Sequence, residues 1–254
     1  ITIGLFLAIL SSALIFWALP IIGLLALICG YITFKIYKPA NASKQIEQSF
    51  DEVTVKDGIN YVRKNENIYI LLLTGFGMMV FWAFSQPLLP LYSKEVLNIG
   101  GGGYAILNGL YFFGSMLGSL LITFSIVKIR KSRILFFSAL LFSLFNILLY
   151  NSNQPIISGF LIVASGISHS IWWISILVYL QTISDEKYKG RVVGFYFSLL
   201  VSVSVGSILG GLISEFIGTR STVYLAMACL MAIHSFAFMS PKLRKLNLLE
   251  KATY

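Results

Sequence analysis

His169 is the residue of this 254-residue chain whose type and position most invite chemistry. It falls near the middle of an apolar run, 155–183, where an ionisable side chain is costly and turns toward protein or water. Two readings stay open for it. One is a neutral imidazole bonded to a neighbouring helix; the other is a cavity-lining residue that answers to protons, its ordinary value being ~6.5. Ser165, Ser168, Trp172, Ser175 and Tyr179 line the same side of that run. In the run 102–127, Tyr104, Asn108, Tyr111 and Ser115 follow i, i+4, i+7, i+11 spacing and share one helix face. Such faces cannot look into hydrocarbon, so they serve helix–helix hydrogen bonds or line a cavity. Aromatic and amide groups without charge suit a large, amphipathic or weakly cationic ligand.

The remaining reactive groups point away from catalysis. Of ten carboxylates, all but Glu95 and Glu215 lie in segments rich in Lys and Arg, and those two fall at the far ends of their runs. None sits at mid-run. His234, in the last run, reads as a packing residue. Ser168 and His169 are adjacent, hence about 100° apart on a helix, and cannot form a nucleophile–base couple by themselves. Gly100 to Gly103 lacks the Lys-Ser or Lys-Thr of a phosphate loop and reads as a flexible turn before a helix. Cys29 and Cys229 lie inside apolar runs and read as free buried thiols, with no metal-ligand spacing around them. No catalytic residue, metal or cofactor is expected.

The elements that hold these groups follow from composition. Hydrophobic residues make up 57% and charged residues 11%, far fewer charges than a water-facing surface carries. Crossing a ~30 Å hydrocarbon core takes about 20 apolar residues as helix. Six runs qualify: 67–92, 102–127, 132–150, 155–183, 192–217 and 220–240. They are apolar throughout rather than alternating, which favours helices over barrel strands. The block 1–34 reads as the tail of a truncated helix followed by one full span over 13–34. The chain opens on Ile1 inside this block without a charged lead, which reads as a fragment or processed product rather than a signal peptide.

Seventeen of the 19 Lys and Arg residues fall in 35–66, 128–133, 184–191 and the tail 241–254, leaving Lys94 and Arg220 for the other side. By the positive-inside rule the four rich segments are cytoplasmic, the C-terminus included. This alternation, and not a phosphate-binding face, accounts for the net charge of +9 and excludes nucleic acid as a partner. Within 35–66, Phe50, Val53, Ile59 and Val62 predict an apolar stripe on a short interfacial helix. Gly114 and Gly118, and Ser202, Gly206 and Gly210, are spaced for close helix approach.

One long cytoplasmic loop followed by six helices resembles the central loop and C-terminal half of a major facilitator superfamily transporter. The run Gly58-Ile59-Asn60-Tyr61-Val62-Arg63-Lys64-Asn65 resembles the entry to the seventh helix of bacterial drug exporters, and Leu88-Leu89-Pro90-Leu91-Tyr92 its outer end. Leu180-Gln181-Thr182 with Asp185-Glu186-Lys187-Tyr188-Lys189-Gly190-Arg191-Val192-Val193-Gly194 is similar to the tenth-to-eleventh helix turn of the macrolide-efflux and enterobactin-exporter branch. The likeness covers nearly the whole chain. The turn after the eighth helix departs from the family, carrying Lys128-Ile129-Arg130-Lys131 without an acidic partner.

The resemblance implies an all-α membrane protein: a six-helix bundle over 67–240, a central loop over 35–66, and a preceding N-terminal half of which 1–34 is the end. It implies a multi-pass protein of the plasma (inner) membrane that exports a drug-like or amphipathic small molecule by alternating access. Proton or ion coupling is expected, with the proton carrier in the N-terminal half. The alternative is a polytopic membrane enzyme or a non-transporting subunit. The resemblance makes Trp82, Gln86, Asn108, Tyr111, Ser168, His169, Trp172 and Tyr179 cavity candidates. It makes Asp185, Glu186, Gly190 and Arg191 a gating turn in which Gly190 permits a tight backbone approach. Asn108 and Tyr111 should converge with His169 and Trp172, and the spans 132–150 and 220–240 should lie outside them.

Overall fold

The computed structural model describes residues 54–125 and 131–239. The expected spans within 1–34, the first part of the central loop, the turn residues 126–130 and the tail lie outside the described residues. Helix α1 is Val55–Lys64, α2 Glu66–Ser85, α3 Leu88–Glu95, α4 Gly100–Ser125 and α5 Lys131–Asn151. Helix α6 is Pro155–Ile183; a 3-10 turn, Glu186–Tyr188, leads into α7 Lys189–Ser198, α8 Val201–Ile217 and α9 Thr219–Met239. Among the described residues, six segments are long and apolar enough to cross a membrane: Glu66–Glu95, Gly100–Thr123, Arg133–Asn151, Pro155–Ile183, Glu186–Ile217 and Thr219–Met239. They match the six runs expected from sequence.

Helix α1 starts where Thr54 and Asp57 cap one another. Asp57 N–H donates to Thr54 Oγ1 at 3.2 Å, and Thr54 N–H to Asp57 Oδ2 at 3.0 Å, a reciprocal capping box. The bonds from Thr54 hold the Asp57 carboxyl below its ordinary value. Gly58 and Val62 form the buried face of α1, whereas Ile59, expected on the apolar stripe, is exposed. The reason is a neighbour that the stripe did not foresee: a Cβ built on Gly58 would lie 3.0 Å from Arg191 Cβ, so the Gly58 face of α1 packs against α7.

Two of the six spans are broken. The first is interrupted at Gln86-Pro87, where proline removes a backbone donor. Nearby side chains serve the carbonyls there, as a break within hydrocarbon requires. Ser207 Oγ donates to Ala83 O at 3.3 Å, Tyr150 Oη to Ser85 O at 3.0 Å, and Ser85 Oγ to Trp82 O at 2.7 Å. The second break, at Leu199-Leu200, has neither proline nor glycine. The backbone tightens to i→i+3 bonds, Ser202 N–H to Leu199 O at 2.9 Å and Val203 N–H to Leu200 O at 3.1 Å.

In the bundle, α6 packs between α4 and α5, α9 bridges α5 and α2, and α2 lies along α8. Glycines set two close crossings. A Cβ on Gly114 or Gly118 would sit 2.2 Å from Val163 O or 2.5 Å from Ile167 O, and one on Gly166 would sit 2.2 Å from Tyr111 O. Gly206 and Gly210 stand in the same relation to Val80 O and Phe84 O, at 2.4 and 2.5 Å. Backbone therefore touches backbone along α4–α6 and α2–α8. Gly218, between α8 and α9, takes φ +80° and ψ 159°, a conformation that suits glycine alone. The glycine tract expected as a flexible turn before the helix is instead the first turn of α4, with the Ile99 side chain folded over Gly103.

Candidate functional site

Helices α2, α4 and α6 bring Trp82, Tyr111 and His169 together. Trp82 Nε1 lies 3.0 Å from Tyr111 Oη, and Tyr111 Oη lies 2.7 Å from His169 Nδ1. Indole N–H can only donate, so Tyr111 accepts from it, and the direction of the bond between Tyr111 Oη and His169 Nδ1 is set by the imidazole tautomer. Trp82 also stacks on the ring, centroids 5.3 Å apart and planes 10° from parallel, and Phe142 and Trp173 flank it at 5.4 and 6.2 Å. All three bonded residues are half-buried, so the cluster keeps an edge at the surface of the bundle.

The close approach of α4 to α6 makes this geometry possible. Gly166, three residues before His169, sits on the Tyr111 carbonyl. A larger residue there would push Tyr111 out of reach of the imidazole. Beside the cluster, Trp82, Gln86, Asn108, Tyr111, Asn146 and Ser165 line a cavity of about 20 Å³, roughly the space one water needs. Asn146 Nδ2 donates to Ser165 Oγ at 2.9 Å and to Phe142 O at 2.8 Å. Glu95 and Glu215 are exposed at the ends of α3 and α8, and the cluster has no carboxylate among its described neighbours.

The other candidates are dispersed. Trp172 does not join the cluster: it is fully buried, and its Nε1 donates to His234 Nε2 at 3.0 Å on α9. His234 in turn gives its Nδ1 proton to Leu230 O at 3.0 Å, so both ring nitrogens are used and the imidazole is neutral. Ser168 faces α5 and returns its hydroxyl to Ala164 O at 2.9 Å. Tyr179 is buried nearer the basic end of α6. Helix α5 was expected outside the polar residues, yet it supplies Phe142 and Asn146 to them. Phe142 was indistinguishable from the other apolar residues of its run, while Asn146, a lone amide in that run, was a signal left unread.

The turn 184–191 is held from α1. Asp185 N–H donates to Tyr61 Oη at 2.8 Å, and the Tyr61 and Tyr188 rings stack at 4.2 Å and 11°. Burial raises the Tyr61 phenol above its ordinary value, which keeps it neutral. Glu186 pairs with Lys189. Gly190 makes no tight approach, for a Cβ placed on it meets nothing within 4 Å. The expected role belongs to Gly58, which lies against Arg191.

Comparison with known proteins agrees with this architecture. The Major Facilitator Superfamily matches residues 1–199 and 81–251. The chain belongs to that superfamily. Like other members it is a multi-pass membrane protein. It is similar to macrolide efflux protein A of Streptococcus pyogenes, at 27% identity over 242 residues, which is 91% of this chain and 58% of that protein. The same figures hold for macrolide efflux protein A of S. pyogenes serotype M6 (strain ATCC BAA-946 / MGAS10394). The chain thus spans a little over half the length of the curated relatives it matches. Within a major facilitator bundle, His169 is an ionisable group held at mid-span by two neighbouring helices.

Proposed function

We propose that this chain works as the C-terminal part of a secondary transporter that exports an amphipathic, uncharged or weakly cationic small molecule, macrolides being the first class to test. Substrate moves by alternating access, coupled to a proton or ion gradient, across a plasma membrane whose cytoplasmic side holds the basic turns and the C-terminus. The observation that carries this reading is the half-buried Trp82–Tyr111–His169 cluster joining three helices. Its aromatic faces suit an apolar ring system, and its hydroxyl and imidazole suit a few directed hydrogen bonds.

The cluster also has a way to sense protons. In the tautomer whose Nδ1 accepts from Tyr111, a proton arriving there occupies the accepting position, so Tyr111 must rotate its own proton away. That change disturbs the bond from Trp82 and hence the contact among α2, α4 and α6. Macrolide uptake into inverted vesicles under an imposed pH gradient tests the reading. His169→Gln should keep macrolide binding and lose most of the gradient-driven uptake, and His169→Ala should weaken both. Gradient dependence unchanged in the two variants would remove His169 from the coupling path. A protein that moves no amphipathic substrate at all would remove the transport reading.

A further inference from the structure

A groove of about 500 Å³ runs between α5 and α6, and no residue of the Trp82–Tyr111–His169 cluster lines it. Its walls are apolar: Phe137, Leu141, Phe145, Ile167 and Ile171 face it, and Ser138 and Ser168 turn their hydroxyls back to Ile134 O at 2.6 Å and Ala164 O at 2.9 Å. One charged residue lines it, Arg133, exposed in the first turn of α5. That turn has no acidic side chain to balance the guanidinium, and Lys128, Arg130 and Lys131 are its neighbours in sequence.

The groove has the length of one leaflet. From Arg133 to Phe145 the helix rises about 18 Å at 1.5 Å per residue, a little over half of the ~30 Å hydrocarbon core. A second groove, of about 240 Å³ between α2 and α9, lies toward the same basic end of the bundle and has no charged residue in its lining. The two differ in size and in the cation, which makes the second an internal control.

We propose that the α5/α6 groove binds one anionic glycerophospholipid, with an acyl chain against Phe137, Leu141 and Ile171 and its phosphate on Arg133. The guanidinium supplies a forked donor to phosphate oxygens, at the level where a headgroup meets the hydrocarbon edge. By the charge distribution the leaflet is the cytoplasmic one, where anionic lipid and basic turns attract each other.

The test is photolabelling of the full-length protein in phosphatidylcholine vesicles that contain phosphatidylglycerol with a diazirine on its acyl chain. Adducts are mapped by mass spectrometry. Label should concentrate on 134–145 and 164–171 rather than on the α2/α9 groove, and Arg133→Gln should lower it about fivefold, the effect of one interfacial cation. Arg133→Lys should keep at least half of it. Diazirine-phosphatidylcholine should label both grooves alike and ignore Arg133→Gln. Equal phosphatidylglycerol labelling of the two grooves would overturn the proposal. So would labelling indifferent to Arg133→Gln, or lost equally in the Gln and Lys variants, since the charge would then play no part.

Discussion

Trp172 and His169 are three positions apart on α6 and belong to different parts of the molecule. His169 turns to Tyr111 and Trp82, and Trp172 turns to His234. The helical period puts both on one broad face, but it cannot say that α4 covers one edge of that face and α9 another. Sequence reading therefore singled out Trp82, Tyr111 and His169, missed Phe142 and Asn146 beside them, and could not exclude Trp172. The two residues should separate by experiment. Trp172→Ala removes a fully buried side chain and should cost about 3–5 kcal/mol, lowering thermal stability in detergent and abundance in cells. Tyr111→Phe removes only a hydroxyl, about 1 kcal/mol in stability, and should sharply reduce macrolide uptake at near-normal abundance. If Trp172→Ala instead changed substrate preference without a loss of stability, the division of α6 into two environments would be wrong.

Among the elements, the six spans were legible because apolar length and basic loops are independent signals that agree. The break at Pro87 is written in the chain; the one at Leu199-Leu200 is not, since no residue there departs from helix chemistry and tertiary contacts set the bend. Glycine spacing announced the close crossings without naming their partners. Gly166→Leu should drive α4 from α6, with loss of the folded protein or of macrolide uptake. Gly190→Ala, in open space inside a helix, should be tolerated or stabilise by up to about 1 kcal/mol. Thermal unfolding of the two purified variants checks both. The contact of α1 with the turn 184–191 was invisible in sequence because Tyr61 and Asp185 lie 124 residues apart. Tyr61→Ala should expose that turn, seen as faster amide exchange over 185–191 with the spans unchanged. Equal exchange in variant and wild type would show that α1 does not hold it.

At the scale of the whole molecule, orientation rests on charge. Asn98 is exposed between α3 and α4, and Gly190 is exposed beyond α6. With Cys29 and Cys229 replaced by serine, Asn98→Cys should react with an impermeant maleimide in intact cells and Gly190→Cys only after lysis. The reverse pattern would invert the topology, and equal labelling of both would undo it. The order in which helices pack was not legible, since lipid-facing and protein-facing apolar residues look alike when the solvent itself is apolar.

Tyr92, at the end of the first described span, gives this packing a schedule. Its hydroxyl donates to Leu149 O at 2.5 Å or Ser152 O at 2.8 Å, and shares a 2.8 Å bond with Ser158 Oγ. Those partners lie 57 to 66 residues later in the chain. At about 5–20 residues per second, the ribosome delivers them roughly 3–13 s after Tyr92. Throughout that interval the first described span waits with its Tyr92 end unfastened, and α4, α5 and the start of α6 must follow before the knot can close. The bundle is thus sealed at its Tyr92 end from behind, by a helix that does not yet exist when the residue waiting for it is made.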